Sequence, residues 1–367
     1  MNRVMERVQV ELGPRSYGVY IGDGLLDMPE LSGVLADFVS NRKVLLVCDS
    51  NTAPLYGGRA EQALTRAGAS VIRHVIPSGE EHKTFRTAEE ICRAAAQAGL
   101  DRGSCFFGLG GGVVTDLTGF AASIFMRGIP FISCPSTLLA MIDAGIGGKT
   151  GADLPEGKNL IGTFWQPRAV LADVSMLRTL PPEQLRCGCA ELVKHAILFD
   201  PELFRELEEH VSGLLTNSDP AREVRLITRS SEWKASVVSG DEREAGRRAL
   251  LNFGHSFGHA IEKLYEYRMG HGDAVAIGMV MASALAERLG ILRKEDALRI
   301  GRLLQACGLP RHVSGLRPED ILHAMRGDKK NIGGHTRLIL PHRIGEAQIH
   351  KDTPDDLLLK VIGDFCD

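Results

Sequence analysis

The fold class of this chain is decided by the stretch CFFGLGGGVVTD, residues 105–116. An apolar run typical of a short strand leads through Gly110, Gly111 and Gly112 into a segment that opens a helix. This strand, turn and helix unit is the one from which parallel α/β sheets are built. Glycines at such a turn let a phosphate approach backbone N–H groups at a helix N-terminus. A tight structural turn is the competing interpretation, because the spacing matches neither a Rossmann nor a Walker pattern.

Similar apolar runs lie on both sides of this stretch. They are Val44–Cys48, Val71–Ile76, Pro130–Cys134 and Ala169–Val174, with helical patterns such as Thr87–Ala98 between them. Continuous apolar strands that alternate with helices predict a mostly parallel sheet covered on both faces. Ligands of such sheets bind at the carboxyl ends of the strands, where the polar and glycine-rich segments of this sequence fall.

The character of the chain changes after Leu180. Helical patterning dominates from there on, over Glu183–Leu215, Glu223–Val238, Gly254–Tyr265, Ala274–Leu289 and Lys294–Cys307. A late hairpin is expected from two short strand-like runs, Arg337–Leu340 and Ala347–His350. The sequence therefore predicts an α/β domain at residues 1–180 and a mainly α-helical domain at residues 181–367.

Composition limits the class of protein. The chain has 367 residues, 44% of them hydrophobic and 24% charged, with a formal net charge of −3. This balance argues against a general nucleic-acid or membrane surface and permits a local basic pocket. No apolar run reaches the roughly 18–20 residues of a membrane helix. The eight cysteines are scattered, so we expect reduced thiols in a cytoplasmic protein and no disulfide framework.

A candidate metal site begins at NFGHSFGH, residues 252–259. His255 and His259 are four residues apart and share one face of a helix, and His271 follows after a turn. Three imidazole or carboxylate groups can hold a catalytic divalent metal with one position open for substrate. Glu191, in GCAELVKH, is a candidate carboxylate ligand. Spacing leaves open which of His255 and His259 is the ligand, and hydrogen-bonded structural histidines are the competing interpretation.

Glycine-flanked lysine marks a second candidate site. Lys149 lies among glycines in a stretch that we interpret as a loop, and Lys158-Asn159 follows shortly. Two further cationic segments, Arg127-Gly128 and Asp328-Lys329-Lys330, favour a collected anion site. A flexible surface loop with a solvated lysine is the alternative.

Together these motifs resemble the 3-dehydroquinate synthases of the sugar phosphate cyclase family. The similarity runs from Asp49 to Lys330, through specific blocks at residues 110–127, 135–166, 188–194 and 248–271. The resemblance implies an N-terminal α/β domain that binds NAD, a C-terminal mainly helical domain that binds metal, and an active site in the cleft between them.

Site residues follow from the resemblance position by position. It implies that zinc, replaceable by cobalt, is bound by Glu191, His255 and His271, which makes His259 a substrate-side group. The NAD-contacting positions that it implies are Asp49, Asn51, Glu80, Lys83, Gly111, Gly112, Val113, Asp116, Ser136, Thr137, Leu139, Lys149, Lys158 and Thr179. The implied catalytic or substrate-binding positions are Asp143, Lys149, Lys158, Asn159, Lys194, Lys234, Arg248, Asn252, His259 and Lys330. Whether Lys329 or Lys330 contacts phosphate stays open.

The implied reaction converts 3-deoxy-D-arabino-heptulosonate 7-phosphate to 3-dehydroquinate and phosphate, a step of the shikimate pathway of aromatic amino-acid biosynthesis. Transient oxidation by NAD, phosphate elimination, reduction, ring opening and intramolecular aldol closure would follow one another, so the enzyme would be a carbon–oxygen lyase. Arg127 matches an arginine that reaches the neighbouring subunit's phosphate site, which implies a homodimer.

Other classes of protein remain as alternatives. A cyclase of the same family would accept a sugar phosphate without a carboxylate, but the combination of Lys234, Arg248 and Asn252 favours the carboxylated substrate. A metal-dependent alcohol dehydrogenase would produce net NADH, and the phosphate-binding residues argue against it. A non-catalytic binding module has little reason to keep ligands, cations and glycine loops together. Two departures from the family pattern are Gly145, which we expect to loosen its loop, and Met176 near the cofactor.

Overall fold

The computed structural model describes residues 4–215, 219–326 and 337–367. Its strands are β1 (Glu6–Val10), β2 (Tyr17–Gly22), β3 (Lys43–Asp49), β4 (Ser70–Ile76), β5 (Cys105–Gly110), β6 (Phe131–Pro135), β7 (Lys149–Leu154), β8 (Gly157–Phe164), β9 (Ala169–Asp173), β10 (Arg337–Arg343) and β11 (Glu346–Lys351). Its helices are α1 (Pro29–Val39), α2 (Gly58–Arg66), α3 (Phe85–Gln97), α4 (Gly112–Ile124), α5 (Pro182–Phe199), α6 (Pro201–Leu215), α7 (Pro220–Gly240), α8 (His255–Leu264), α9 (His271–Arg288), α10 (Lys294–Ala306), α11 (Pro318–Arg326) and α12 (Asp355–Gly363). In the part of the chain described, no helix has the length and apolar character required to cross a bilayer.

The chain divides into two compact units. The first comprises Met1–Leu180 and Asp219–Arg243, and the second comprises Pro181–Ser218 and Glu244–Asp367. This division differs from the predicted domains in one segment, residues 219–243, which the sequence interpretation assigned to the second domain. The reason is packing: helix α7 contacts β1 and β2 of the first unit, and it also contacts the turn at Ala140–Ala144.

The sheet of the first unit confirms the predicted fold class. Its strand order is β1-β2-β9-β6-β5-β3-β4, and the pairs from β2 to β4 are all parallel. The chain runs from β3 outward to β4 and then returns to pair β5 on the other side of β3. This reversal is a topological switch point, where the connections that leave two adjacent strands turn to opposite faces of the sheet, and ligands of such sheets bind in the crevice between those connections.

The core beneath this crevice lies between the sheet and helices α3 and α4. Phe106 of β5 and Leu45 of β3 are buried against Ile91 of α3 and Leu117 of α4. These strands are apolar throughout because both of their faces are covered. Each fully buried side chain of this size contributes about 1.5–3 kcal/mol relative to exposure.

Two parts of the first unit differ from the sequence interpretation. Strands β1 and β2 pair antiparallel at the sheet edge, where no strand was predicted. Lys149 begins β7, which forms an antiparallel hairpin with β8, so the lysine lies on a strand and the predicted loop is wrong. The hairpin pairs Gly151 with Gly162, and a Cβ on either would lie 2.5 or 2.3 Å from the opposite backbone carbonyl. Glycine is therefore required there for close backbone approach, although it suggests a loop when read from sequence.

The second unit is mainly helical, as predicted. Helix α9 packs against α5, α8 and α10, and the hairpin of β10 and β11 pairs Ile339 with Ile349. The predicted helix over residues 183–215 is broken at Asp200, whose Oδ1 accepts hydrogen bonds from the backbone N–H groups of Glu202 and Leu203. Pro201 then begins α6, because proline suits the first turn of a helix.

Candidate active site

A carboxylate and two imidazoles converge in the second unit. Glu191 lies on α5, His255 begins α8 and His271 begins α9, and their ligand atoms all lie within 4.8 Å of one another. Nε2 of each histidine is 3.7 Å from Oε1 of Glu191. The set of one carboxylate and two imidazoles suits a catalytic divalent ion such as zinc.

The orientation of both imidazoles is fixed by a second contact. Nδ1 of His255 lies 3.1 Å from the carbonyl oxygen of Phe253 and must donate, because a carbonyl can only accept. Nδ1 of His271 lies 3.4 Å from both carboxylate oxygens of Glu262. With the proton on Nδ1, the lone pair on Nε2 of each ring points toward Glu191, where a metal would lie.

His271 is held in a strongly acidic environment. Burial by itself lowers the pKa of His271. The hydrogen bonds that the ring makes with Glu191 and Glu262, together with the negative charges of these carboxylates, outweigh burial and raise the pKa to about 9. In metal-free protein at neutral pH the ring is therefore protonated, and metal binding must release this proton.

Close helix contacts bring these ligands together. A Cβ on Gly278 of α9 would lie 2.0 Å from the carbonyl oxygen of Gly254, which precedes α8 with φ +78°. A Cβ on Gly272 would lie 2.4 Å from Cα of Cys187 on α5. Gly254 and Gly258 likewise lie against the backbone or side chains of α9.

Cationic and amide side chains lie close to the triad residues in the sequence. Lys194, one turn after Glu191 on α5, is buried and forms an ion pair with Oε2 of Glu191. Arg248 is 1% exposed in the 3₁₀ turn Arg247–Asn252. Asn252, at the end of that turn, donates from Nδ2 to Oε1 of Glu244 at 2.7 Å.

His259 lies on the same face of α8 as His255, as the four-residue spacing predicts. Its ring centroid is 5.2 Å from that of His255 and 6.3 Å from that of His271. His259, Glu262 and His271 also form a group whose ligand atoms lie within 4.8 Å of one another. The role of His259 on the substrate side stays a prediction.

A further ion pair lies in the first unit. Lys234 of α7 is 6% exposed and pairs with Asp143, which lies in the π-helical turn Ala140–Ala144. Both residues were predicted as catalytic or substrate-binding, and the fold brings them together although 91 residues separate them. The adjacent Gly145 is buried, and its N–H donates to the carbonyl of Ala140 at 2.8 Å. A Cβ on Gly145 would lie 2.7 Å from that carbonyl oxygen, and the effect of this departure on the looseness of the loop stays a prediction.

Lys83 joins several other predicted residues of the first unit. Its Nζ lies 2.6 Å from Oδ2 of Asp116 and 2.7 Å from Oδ1 of Asn159. Burial lowers the pKa of Lys83, but the charges of Asp116 and Glu80 outweigh it and raise the pKa. Nζ of Lys158 lies 3.4 Å from Oε1 of Glu80. These contacts join the start of β8 to the 3₁₀ turn Glu80–His82, which precedes α3, and to the N-terminal part of α4.

The predicted NAD positions lie in the first unit, many of them just beyond the carboxyl ends of parallel strands. Asp49 ends β3, and its Oδ1 accepts from the N–H groups of Asn51 and Thr52. Gly111 precedes α4, and no described side chain caps that helix. Beyond β6, the N–H of Ser136 donates to the carbonyl of Gly110 at 2.8 Å. The remaining positions named for NAD on these segments are Val113, Thr137, Leu139, Lys149 and Thr179.

The remaining predicted cations lie at exposed positions or outside the described residues. Lys149 is exposed at the start of β7, and Arg127 is exposed in the turn after α4 with φ +69°. Lys329 and Lys330 lie outside the described residues. The sequence interpretation missed Glu244 and Glu262. Glu262 lies two helical turns after His255, but its contact with His271, like the contact of Glu244 with Asn252, depends on the fold.

Comparisons with known proteins identify the family. A model of the 3-dehydroquinate synthase N-terminal domain matches residues 73–187, and one of the C-terminal domain matches residues 188–331. A 3-dehydroquinate synthase of Pelotomaculum thermopropionicum is 45% identical over 98% of this chain and 96% of that protein. The chain belongs to the 3-dehydroquinate synthase family. A 3-dehydroquinate synthase of Pseudomonas fluorescens is 44% identical over 98% of this chain and 97% of that protein.

Solved structures relate the 3-dehydroquinate synthase fold to other cyclases. A 2-epi-5-epi-valiolone synthase of Streptomyces hygroscopicus, with NAD+ and Zn2+ bound, is 30% identical with a TM-score of 0.88 over 97% of each chain. A 2-deoxy-scyllo-inosose synthase, complexed with carbaglucose-6-phosphate, NAD+ and Co2+, is 25% identical with a TM-score of 0.86 over 99% of this chain and 100% of that chain. An iron-containing alcohol dehydrogenase, 14% identical with a TM-score of 0.67 over 98% of this chain and 99% of that chain, shares the fold alone.

Proposed function

We propose that this protein converts 3-deoxy-D-arabino-heptulosonate 7-phosphate to 3-dehydroquinate and phosphate, as a phosphate-eliminating lyase. The proposal rests on one observation: the chain has both a metal-ligand triad, Glu191, His255 and His271, and a buried guanidinium, that of Arg248. Arg248 and His255 lie seven residues apart, on a 3₁₀ turn and the helix that follows it. Curated relatives at 43–45% identity over most of the chain are 3-dehydroquinate synthases.

Glu191, His255 and His271 would hold the divalent ion, because their facing Nε2 and carboxylate atoms supply three ligands. When bound, the metal would supply Lewis-acid polarisation of a substrate hydroxyl. Lys194, paired with Oε2 of Glu191, leaves Oε1 facing the two imidazoles. The carboxylate is thereby oriented by a neighbour before any ion arrives.

NAD would lie at the switch point of the parallel sheet, against the glycines that precede α4. Gly111 and Gly112 expose backbone N–H groups at a helix N-terminus, which suits a pyrophosphate. The cofactor would supply a transient hydride acceptor that is restored within each turnover. Two relatives of known structure were solved with NAD+ bound, at 30% and 25% identity.

The cationic residues would hold the two ends of the substrate. Arg248 presents a planar fork that matches a carboxylate, and its burial strengthens a charge-assisted hydrogen bond. Lys149 and Arg127, which are exposed, would bind phosphate together with Lys330. Asp143 would hold the ammonium of Lys234 in place until substrate arrives. The leaving phosphate can itself accept the proton, so these residues act through positioning and charge.

Arg127 would act in a neighbouring subunit of a homodimer. Its backbone is left-handed and its side chain is exposed on the first unit. Mixing Arg127→Ala protein with Arg248→Ala protein tests this arrangement. If Arg127 acts across subunits, mixed dimers contain one active site with both residues intact, and activity returns to about one quarter of wild type. If the mixture is no more active than the two variants measured separately, Arg127 does not act across subunits.

The reaction is tested by incubating the protein with the heptulosonate phosphate, zinc and catalytic NAD. Released phosphate should equal the 3-dehydroquinate formed, with no accumulation of NADH. Stoichiometric NADH would assign the protein to the dehydrogenases that share its fold. Faster turnover of a carboxylate-free substrate such as glucose 6-phosphate would assign it to another cyclase activity.

A further inference from the structure

Glu262 is a buried carboxylate that the proposed reaction does not use. It lies on α8, three residues after His259 and seven after His255, and is 3% exposed. Burying a charged carboxylate is costly unless polar groups compensate it. Both of its oxygens lie 3.4 Å from Nδ1 of His271, on the side of the ring opposite to Glu191.

The two histidines of the triad make the same pair of contacts, but the group that contacts Nδ1 differs between them. Each directs Nε2 toward Oε1 of Glu191 at 3.7 Å, and each has Nδ1 against an oxygen acceptor. For His255 this acceptor is the neutral carbonyl of Phe253, whereas for His271 it is the carboxylate of Glu262. A charged acceptor makes the opposite nitrogen more electron-rich and therefore a stronger ligand.

We propose that Glu262 is a positioning residue that fixes the ring and tautomer of His271 for metal binding. This inference rests on the proposed function, because it assumes that Glu191, His255 and His271 hold a divalent ion. Charge balance supports it. The ion, the buried ammonium of Lys194 and the carboxylate of Glu191 together carry a formal charge of about +2, and the buried carboxylate of Glu262 lowers this excess to about +1.

A second ion is the competing explanation, since His259, Glu262 and His271 also have ligand atoms within 4.8 Å of one another. To bind two ions, His271 would have to lose both ring protons and bridge them. The equal distances from Nδ1 to the two oxygens of Glu262 instead suit one N–H shared by a carboxylate. We therefore expect one ion per chain.

The test measures metal binding without substrate, on full-length protein with Glu262→Gln, Glu262→Asp and a control. Glu266→Gln is the control, because it removes the same charge at an exposed position just after α8. Zinc dissociation constants come from chelator competition, metal content from stoichiometric titration, and ligand geometry from the visible spectrum of the Co2+ form. Thermal unfolding of the metal-free variants and NAD binding verify that both units are folded.

We expect Glu262→Gln to weaken zinc binding about 10- to 100-fold, the usual effect of losing such a partner. The Co2+ spectrum should change with it, Glu262→Asp should recover part of the affinity, and Glu266→Gln should behave as wild type. An unchanged dissociation constant and Co2+ spectrum in folded Glu262→Gln protein would overturn the proposal. Two ions per wild-type chain and one in Glu262→Gln would establish the second-ion explanation instead.

The outcome is separable from the proposed function. If Glu262→Gln weakens zinc binding but the wild-type protein does not turn over the heptulosonate, the positioning role stands and the reaction is wrong. If His255→Ala protein binds zinc as tightly as wild type, the triad is not the metal site and both proposals fail.

Discussion

Replacing Gly278 by alanine should separate α8 from α9 and weaken the metal site that these helices form. The added Cβ would lie 2.0 Å from the carbonyl oxygen of Gly254 and 2.9 Å from the nitrogen of Gly258. Ordinary contact begins at 3.4 Å, so the helices must move apart by about 1.4 Å along that line. Overpacking of this kind costs about 1–3 kcal/mol of unfolding free energy.

The same displacement carries His255 away from His271, because the first begins α8 and the second begins α9. Metal sites tolerate ligand shifts of only about 0.2 Å, so zinc affinity should fall at least tenfold. Urea unfolding of metal-free protein and chelator competition on folded protein measure the two effects separately.

A matched substitution controls for the change of glycine to alanine in a helix. Gly33 of α1 has open space around its Cβ position, so Gly33→Ala should stabilise the protein by about 0.5–1 kcal/mol and leave zinc affinity unaltered. If Gly278→Ala keeps wild-type stability and wild-type zinc affinity, the close helix approach is not what assembles the ligands.

Three further outcomes are expected. His271→Ala should remove both the metal and turnover while circular dichroism stays unchanged, and stoichiometric zinc in that variant would refute the ligand assignment. Arg248→Ala should cost about 2–5 kcal/mol of binding or transition-state energy for the carboxylated substrate and much less for a carboxylate-free sugar phosphate. Arg248→Lys should not restore full activity, because an ammonium cannot reproduce the planar fork of a guanidinium. Equal losses on both substrates would contradict the role of Arg248 in binding the carboxylate. Burial raises the pKa of Glu223 from 4.5 to about 7, so the native state binds the extra proton and stability declines as pH rises from 4.5 through 7. Glu223→Gln should therefore stabilise the protein by about 1–3 kcal/mol at pH 8 and hardly at pH 4, as measured by urea unfolding at both pH values.

The sequence predicted strands where burial on both faces makes them uniformly apolar, as in β3 and β5. It missed β1, whose sequence ERVQV keeps only alternate side chains buried, β2, which is buried throughout but contains two glycines in YGVYIG, and the glycine-rich hairpin of β7 and β8. Such strands carry weak hydrophobic patterns, because edge exposure or backbone contact, and not side-chain burial, decides their composition.

The sequence predicted those parts of the candidate site whose residues lie close together in the chain, and it did not predict contacts between residues that are far apart in the chain. The spacing of His255 and His259 indicated a shared helix face, which α8 provides. Spacing could not choose the ligand between them, because the choice depends on which ring faces Glu191, 64 residues earlier in the chain. The contact of Glu262 with His271 likewise requires α8 and α9 to pack together, which no local pattern encodes.

The return of α7 to the first unit has a consequence for synthesis of the protein. The chain leaves that unit at Leu180 and re-enters it only for residues 219–243. At roughly 5–20 residues per second, a ribosome needs about 3–13 s to make residues 181–243, which are the intervening stretch and the segment that contains α7. During that time β1 and β2 lack helix α7, which packs against them in the folded protein, and α5 lacks helix α9, which has not yet been synthesised. Neither unit can be cut out as one continuous piece, so a nascent chain stalled near residue 180 should expose apolar surface and recruit chaperones.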